Sequence, residues 1–148
     1  MIEVKRHIQA PVQDVFAVLS DGWLYAGWVV GASRIRAVDD AWPKPGSKIH
    51  HSVGVWPALL DDETQVVDFV PNHRLVLQAR GWPVGEATVY LELEDDEDGG
   101  SLVRLQEDVS SGPGKLVPQP VRQLSIAPRN TESLRRLAFL AEGGAYRR

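Results

Sequence analysis

Cysteine is absent from this 148-residue chain, which removes disulfides, thiolate metal sites and a cysteine nucleophile together. No run of about 18 apolar residues occurs, so neither a membrane span nor stable membrane insertion is expected. The opening Met1-Ile2-Glu3-Val4-Lys5-Arg6 lacks the apolar core of a signal peptide, and a cytoplasmic location is the expectation. An excess of basic charge is missing too. The formal net charge is −4, whereas a nucleic-acid binder usually shows a basic face, so no nucleic-acid partner is expected. Gly112-Pro113-Gly114-Lys115 has Val109 and Leu116 where a phosphate loop needs Gly and Ser/Thr. No Gly-x-Ser-x-Gly elbow is present, which excludes the commonest hydrolase signature. The acidic run Asp95 to Asp98 lacks calcium-loop spacing and reads as a solvated hairpin tip. No cofactor and no metal is expected.

What is present is the composition of an ordinary globular protein, 43% hydrophobic and 24% charged, in a length suited to one domain over residues 1–148. Ile2, Val4 and Ile8 alternate with Glu3, Lys5, His7 and Gln9, the period of a half-buried strand, with Arg6 falling on the apolar face. Pro11 then suits a first helical turn, and Val12, Val15, Phe16 and Leu19 follow at helical spacing until Asp21-Gly22. Gly22 to Trp28 reads as a short second helix or turn. Strands are predicted at 33–38, 47–55, 63–70, 74–80, 85–93 and 102–109, separated by turns rich in Pro, Gly, Asn and Asp. Residues 110–127 carry the weakest pattern, with a helical turn at most over Val121 to Ile126. From Pro128 to Glu142, Leu134, Leu137, Ala138 and Ala141 form one helical stripe ended by Gly143-Gly144. Two of those four inward positions are alanines, which predicts unfilled room beside this helix.

The motifs that carry a family likeness are Ala10-Pro11 with Val15-Phe16, Trp28-Val29-Val30-Gly31-Ala32 and Pro45-Gly46-Ser47 with Val53-Gly54-Val55-Trp56-Pro57. To these add Glu107-Asp108 before Gly112-Pro113, and Arg129-Asn130 leading into Glu132-Ser133-Leu134-Arg135-Arg136-Leu137. In this order they resemble the polyketide cyclase/dehydrase branch of the START-like (SRPBCC) superfamily over nearly the whole chain. The resemblance implies an α+β helix-grip fold. A seven-stranded curved antiparallel sheet would wrap around a long C-terminal helix, with two short helices after the first strand. It also implies a hydrophobic small molecule, lipid-like or polyketide-like, held between sheet and helix. A minority of such proteins cyclise or dehydrate polyketides, and some helix-grip proteins serve as chaperone cofactors or toxin–antitoxin components.

Within that frame the expected cavity residues are Trp28, the inward strand positions Ile49, His51, Val53, Leu77, Val89 and Glu107, and Leu134 and Ala138 of the helix. His51 shares the phase of Ile49 and Val53 while His50 points outward, so the two cannot chelate one metal. His51 is either a hydrogen-bonded core histidine or a cavity donor and base near neutral pH. Glu107 shares the phase of Val103 and Leu105. A buried carboxylate requires a partner, for which Arg6 is the candidate, unless Glu107 polarises a ligand group instead. Trp42-Pro43, Trp56-Pro57 and Trp82-Pro83 mark strand ends, either as turn packing or as an aromatic rim. Three functions stay open: a binding protein without turnover, a cyclase or dehydratase using His51 or Glu107, and an interaction protein with an apolar outer patch near Phe139.

Overall fold

A computed structural model describes residues 3–30, 32–53, 60–81 and 85–144. Strand β1 (Val4–Ile8) leads through Pro11 into helix α1 (Val12–Ser20), a 3₁₀ turn (Gly22–Leu24) and the single-turn helix α2 (Tyr25–Trp28). Six strands follow: β2 (Ala32–Val38), β3 (Lys48–Val53), β4 (Leu60–Val70), β5 (Arg74–Gly81), β6 (Gly85–Asp95) and β7 (Ser101–Ser111). A second 3₁₀ turn (Pro113–Leu116) precedes the long helix α3 (Gln119–Glu142). The sheet runs in the order β1-β7-β6-β5-β4-β3-β2, every pair antiparallel, and this is the helix-grip arrangement expected. Alternation in the sequence carried over directly: Ser101, Val103, Leu105 and Glu107 of β7 are all buried, with half-buried residues between them.

Helix α1 buries Val12, Val15, Phe16, Val18 and Leu19, and Phe16 meets Phe69 of β4 with ring centroids 5.5 Å apart. The Asp21 carboxylate then accepts the Trp23 N–H at 3.1 Å, turning the chain into the 3₁₀ segment. Register slips occur between Val66 and Asp68 on β4 and between Glu86 and Ala87 on β6. Such bulges bend a strand and increase its twist, as a sheet that closes round a helix requires. Gly85 sits beside the second slip at φ +120°, and a Cβ there would lie 2.1 Å from the Ser111 carbonyl oxygen.

Two sequence expectations are corrected. The last helix begins at Gln119 and contains Pro128 instead of starting there. The N–H that proline lacks would have bonded the Leu124 carbonyl, and Leu124 is 73% exposed, so water can satisfy that group. Arg6 is exposed and does not pair with Glu107. Register explains this: Arg6 lies opposite Val103, four residues and about 13 Å along β7 from Glu107. Among the described residues the β1 ladder spans Ser101 to Leu105 of β7. Of the two readings open for Trp42, the structural one holds: the side chain is buried and its indole N–H donates to the Leu19 carbonyl at 3.2 Å. Trp56 and Trp82 lie outside the described residues.

At the hairpin tip, His7 Nδ1 and Asp96 Oδ2 are 2.8 Å apart, and Gln9 donates to Asp98 at 3.2 Å, fastening the tip to the end of β1. The C-terminal half of α3 supplies Leu134, Leu137, Ala138 and Ala141 to the packed core, as its periodicity predicted. Leu137 is fully buried, so Leu137→Ala should cost about 2–5 kcal/mol in urea unfolding. The solvent-side Leu124→Ala should stay within about 0.5 kcal/mol of wild type.

Candidate ligand cavity

A cavity of about 700 Å³ opens between the N-terminal half of α3 and the sheet. Cross-strand register explains its position. One inward row of the sheet is Leu105–Leu91–Leu75–Phe69, bulky side chains that fill the space below them. Four residues further along β7, β6 and β5, and five along β4 past its bulge, the row is Val109–Ala87–Ala79–Thr64, and these smaller side chains leave room. The two alanines of the helix stripe, Ala138 and Ala141, are 2% exposed and packed in the core, so the expected void beside them is filled. The room comes from alanines on the sheet. Buried His51, Glu107 and Asn130 share the lining with exposed Val117 and Val121, so the space runs from the core to the surface.

The roof is held by two neighbouring residues of β7. Alternation points Glu107 inward and Asp108 outward. Glu107 is bonded to the Arg129 guanidinium, and its backbone carbonyl accepts from the Gln123 amide at 2.9 Å. Asp108 takes Arg122 through two parallel bonds, each 2.9 Å, and a third from Gln119 at 2.8 Å. That bidentate guanidinium, with Gln119 beside it, holds the Asp108 carboxyl far below the usual carboxylate range. Ser133, further along α3, accepts the Val30 backbone N–H at 3.2 Å.

Deeper in, three side chains from three elements form a polar chain. His51 Nε2 is 2.8 Å from Thr64 Oγ1, which is 3.0 Å from the Tyr25 hydroxyl. The Tyr25 ring stacks on His51 with centroids 5.4 Å apart and meets Trp28 edge-on at 5.5 Å. Burial lowers the His51 pKa, with the negative charge of Asp62 opposing it, so the imidazole is neutral at pH 7. Burial, reinforced by the nearby Glu107 charge, raises the Tyr25 phenol to about 12. Two buried atoms of wall residues, His51 Nδ1 and Asn130 Nδ2, have no hydrogen-bond partner among the described residues.

Of the residues singled out in the sequence, Trp28, His51, Leu77, Val89 and Glu107 come together on this wall. Ile49, Leu134 and Ala138 belong to the packed core instead. Val53 ends β3, and its side chain lies outside the described residues. Phe139 is exposed, with the Arg135 guanidinium 5.0 Å above its ring, while Leu116, Val117, Val121 and Leu124 gather exposed apolar surface where α3 begins. Sequence reasoning missed Tyr25, Thr64, Arg129, Asn130 and Ser133. A signal for two of them, Asn130 and Ser133, existed: 123, 126, 130, 133, 137 is one helical stripe that continues across Pro128.

The chain belongs to the family described as polyketide cyclase / dehydrase and lipid transport, whose model matches residues 1–142. Membership narrows the function to ligand binding or cyclase-type chemistry on a ligand, without fixing the substrate. Protein NE0264 from Nitrosomonas europaea superposes with a TM-score of 0.73 at 18% identity, covering 98% of this chain and 96% of that one. Ara h 8.0201 gives 0.70 at 13% identity, with 96% and 97% covered. The di-domain ARO/CYC StfQ from the steffimycin biosynthetic pathway gives 0.70 at 12% identity, this chain spanning 97% of itself and 51% of StfQ. At these identities the likeness is one of fold. No curated protein matches the sequence. Among the described residues, no helix is long and apolar enough to cross a membrane.

Because the folded Asp108 carboxyl is depressed, its contribution to stability is present above the unfolded value near pH 4 and is lost as pH falls towards the folded value. Asp108→Asn should therefore cost roughly 1–3 kcal/mol at pH 7. Urea unfolding across pH should show the gap between variant and wild type closing steadily below about pH 4.

Proposed function

We propose that this protein binds one small hydrophobic molecule, lipid-like or polyketide-like, in the cavity between sheet and α3, as a carrier or receptor without turnover. The observation that carries the reading is the cavity itself, about 700 Å³ and walled largely by Trp28, Leu77, Ala79, Ala87, Val89, Leu105 and Ile126. A pocket of that size with a few convergent polar groups is the usual form of a small-molecule site. Family membership supports it, since the family description includes lipid transport. Shape and one or two hydrogen bonds suffice for such a role, and the apolar floor supplies the affinity.

A second reading is favoured by one observation: the His51–Thr64–Tyr25 chain and Glu107 occupy the same wall. In a cyclase or dehydratase, neutral His51 would take a proton from a carbon beside a ligand carbonyl, and Trp28 with the apolar strand residues would orient it. The two readings separate on variants. If the protein is an enzyme, His51→Ala lowers turnover of a bound carbonyl compound about 10²-fold or more with a smaller change in its Kd. If it is a carrier, no turnover exists to lose. Should His51→Ala and Glu107→Gln both leave affinity and turnover untouched, neither residue belongs to the site.

The binding reading is tested with the uncharged dye Nile red and by native mass spectrometry of freshly purified protein. A saturable rise in dye fluorescence, or a co-purified small molecule, is the expected result. Ala87→Trp fills the cavity from the sheet side and should weaken dye binding at least tenfold, with a cooperative thermal transition retained. Absence of both dye binding and a co-purified ligand would end the proposal.

A further inference from the structure

The charged side chains on the described cavity wall all have partners of opposite sign. Arg129 is bonded to Glu107, and Arg122 to Asp108. Arg80 lies 3.4 Å from Glu63 and 3.8 Å from Glu86, the remaining wall carboxylate. An ionised ligand would therefore leave water for an apolar space that holds no unpaired counter-charge. A carboxylate reaching for Arg129 would also approach Glu107, which already occupies that guanidinium. Uncharged hydrogen-bonding capacity is what remains unfilled. His51 Nδ1 and Asn130 Nδ2 are buried and unpartnered among the described residues, and both residues are at least 97% buried. Buried polar groups are seldom left so, and an oxygen atom of a ligand answers an amide N–H without bringing charge.

From these pairings we infer that the cavity selects an uncharged, mainly apolar molecule bearing a carbonyl or hydroxyl oxygen, and rejects carboxylates and phosphates of the same shape. The inference rests on the ligand-binding reading above and names its ligand class. It makes the Glu107–Arg129 pair a specificity element: the carboxylate keeps the cavity's arginine from recruiting anions.

The test uses three matched probes at pH 7.5, 2-acetylnaphthalene, 2-naphthoate and naphthalene, each competed against bound Nile red. The ketone should bind at least tenfold more tightly than the carboxylate and more tightly than the hydrocarbon. Asn130→Leu should shrink the advantage of ketone over hydrocarbon. Glu107→Gln, which leaves Arg129 without its counter-charge, should raise the ratio of carboxylate to ketone affinity at least tenfold. If Glu107→Gln does not fold, the comparison of ketone with carboxylate on the wild-type protein decides alone. Carboxylate binding as tight as ketone binding, or failure of the ketone to displace the dye, overturns the inference while ligand binding stands. Failure of Nile red to bind, together with the absence of any co-purified small molecule, removes both.

Discussion

The grip of two consecutive β7 residues on the first half of α3 is the constraint on which the cavity depends. That half of the helix has little apolar surface to hold it down. Of its residues before Pro128 only Gln123 and Ile126 are buried, while Val121 and Leu124 face outward. Hydrophobic packing cannot fix a segment so poor in buried area. Polar bonds do it instead, from Glu107 on the inner face and Asp108 on the outer, to helix positions 119, 122, 123 and 129. A tether of this kind suits a roof. Apolar side chains strong enough to hold the helix would have to fill the space beneath it.

The two halves of α3 thus do different jobs along one stripe. Ile126, Asn130 and Ser133 line the cavity, then Leu134, Leu137, Ala138 and Ala141 seal the other end of the core. The sheet changes in step, from Leu105–Leu91–Leu75–Phe69 under the sealed end to Val109–Ala87–Ala79–Thr64 under the open one. Stability is concentrated where both layers carry bulky apolar residues. An open mouth at the other end lets water or a ligand occupy the volume, so the cost associated with an empty sealed void does not arise in the same form.

Periodicity told which face a side chain occupies, and for Glu107, His51, Leu77 and Val89 that was enough to place them inward. It did not tell how far along the barrel-like axis each one sits. Ile49 and His51 share a phase, yet one is core and the other cavity wall, because depth is set by cross-strand register and not by alternation. The same limit explains Arg6, correctly placed in a strand beside β7 but opposite Val103. Ala79 and Ala87 were legible in principle, since a β5–β6 hairpin pairs them, but only once the hairpin's register is known. Proline reading failed differently. Proline marks a helix boundary in sequence because it removes a helical hydrogen bond, and at Pro128 that loss matters little because the orphaned carbonyl belongs to the solvent-side Leu124.

The arrangement of the polar residues bears on whether the cavity turns a ligand over. His51 has one nitrogen committed to Thr64, and burial keeps the ring neutral, so a single nitrogen remains for any ligand. Tyr25 stays protonated well above neutral pH and faces the same threonine. Glu107 is bonded to Arg129, so using it as a base would break an ion pair whose separation inside an apolar wall is costly. Among the described residues proton transfer therefore has one available entry point, the unpartnered His51 Nδ1, and no second free group to return the proton. A carrier needs neither. The polar chain of His51, Thr64 and Tyr25, with Trp28 packed edge-on against the tyrosine, is better suited to fixing one end of the cavity rigidly and offering a ligand oxygen a hydrogen bond there.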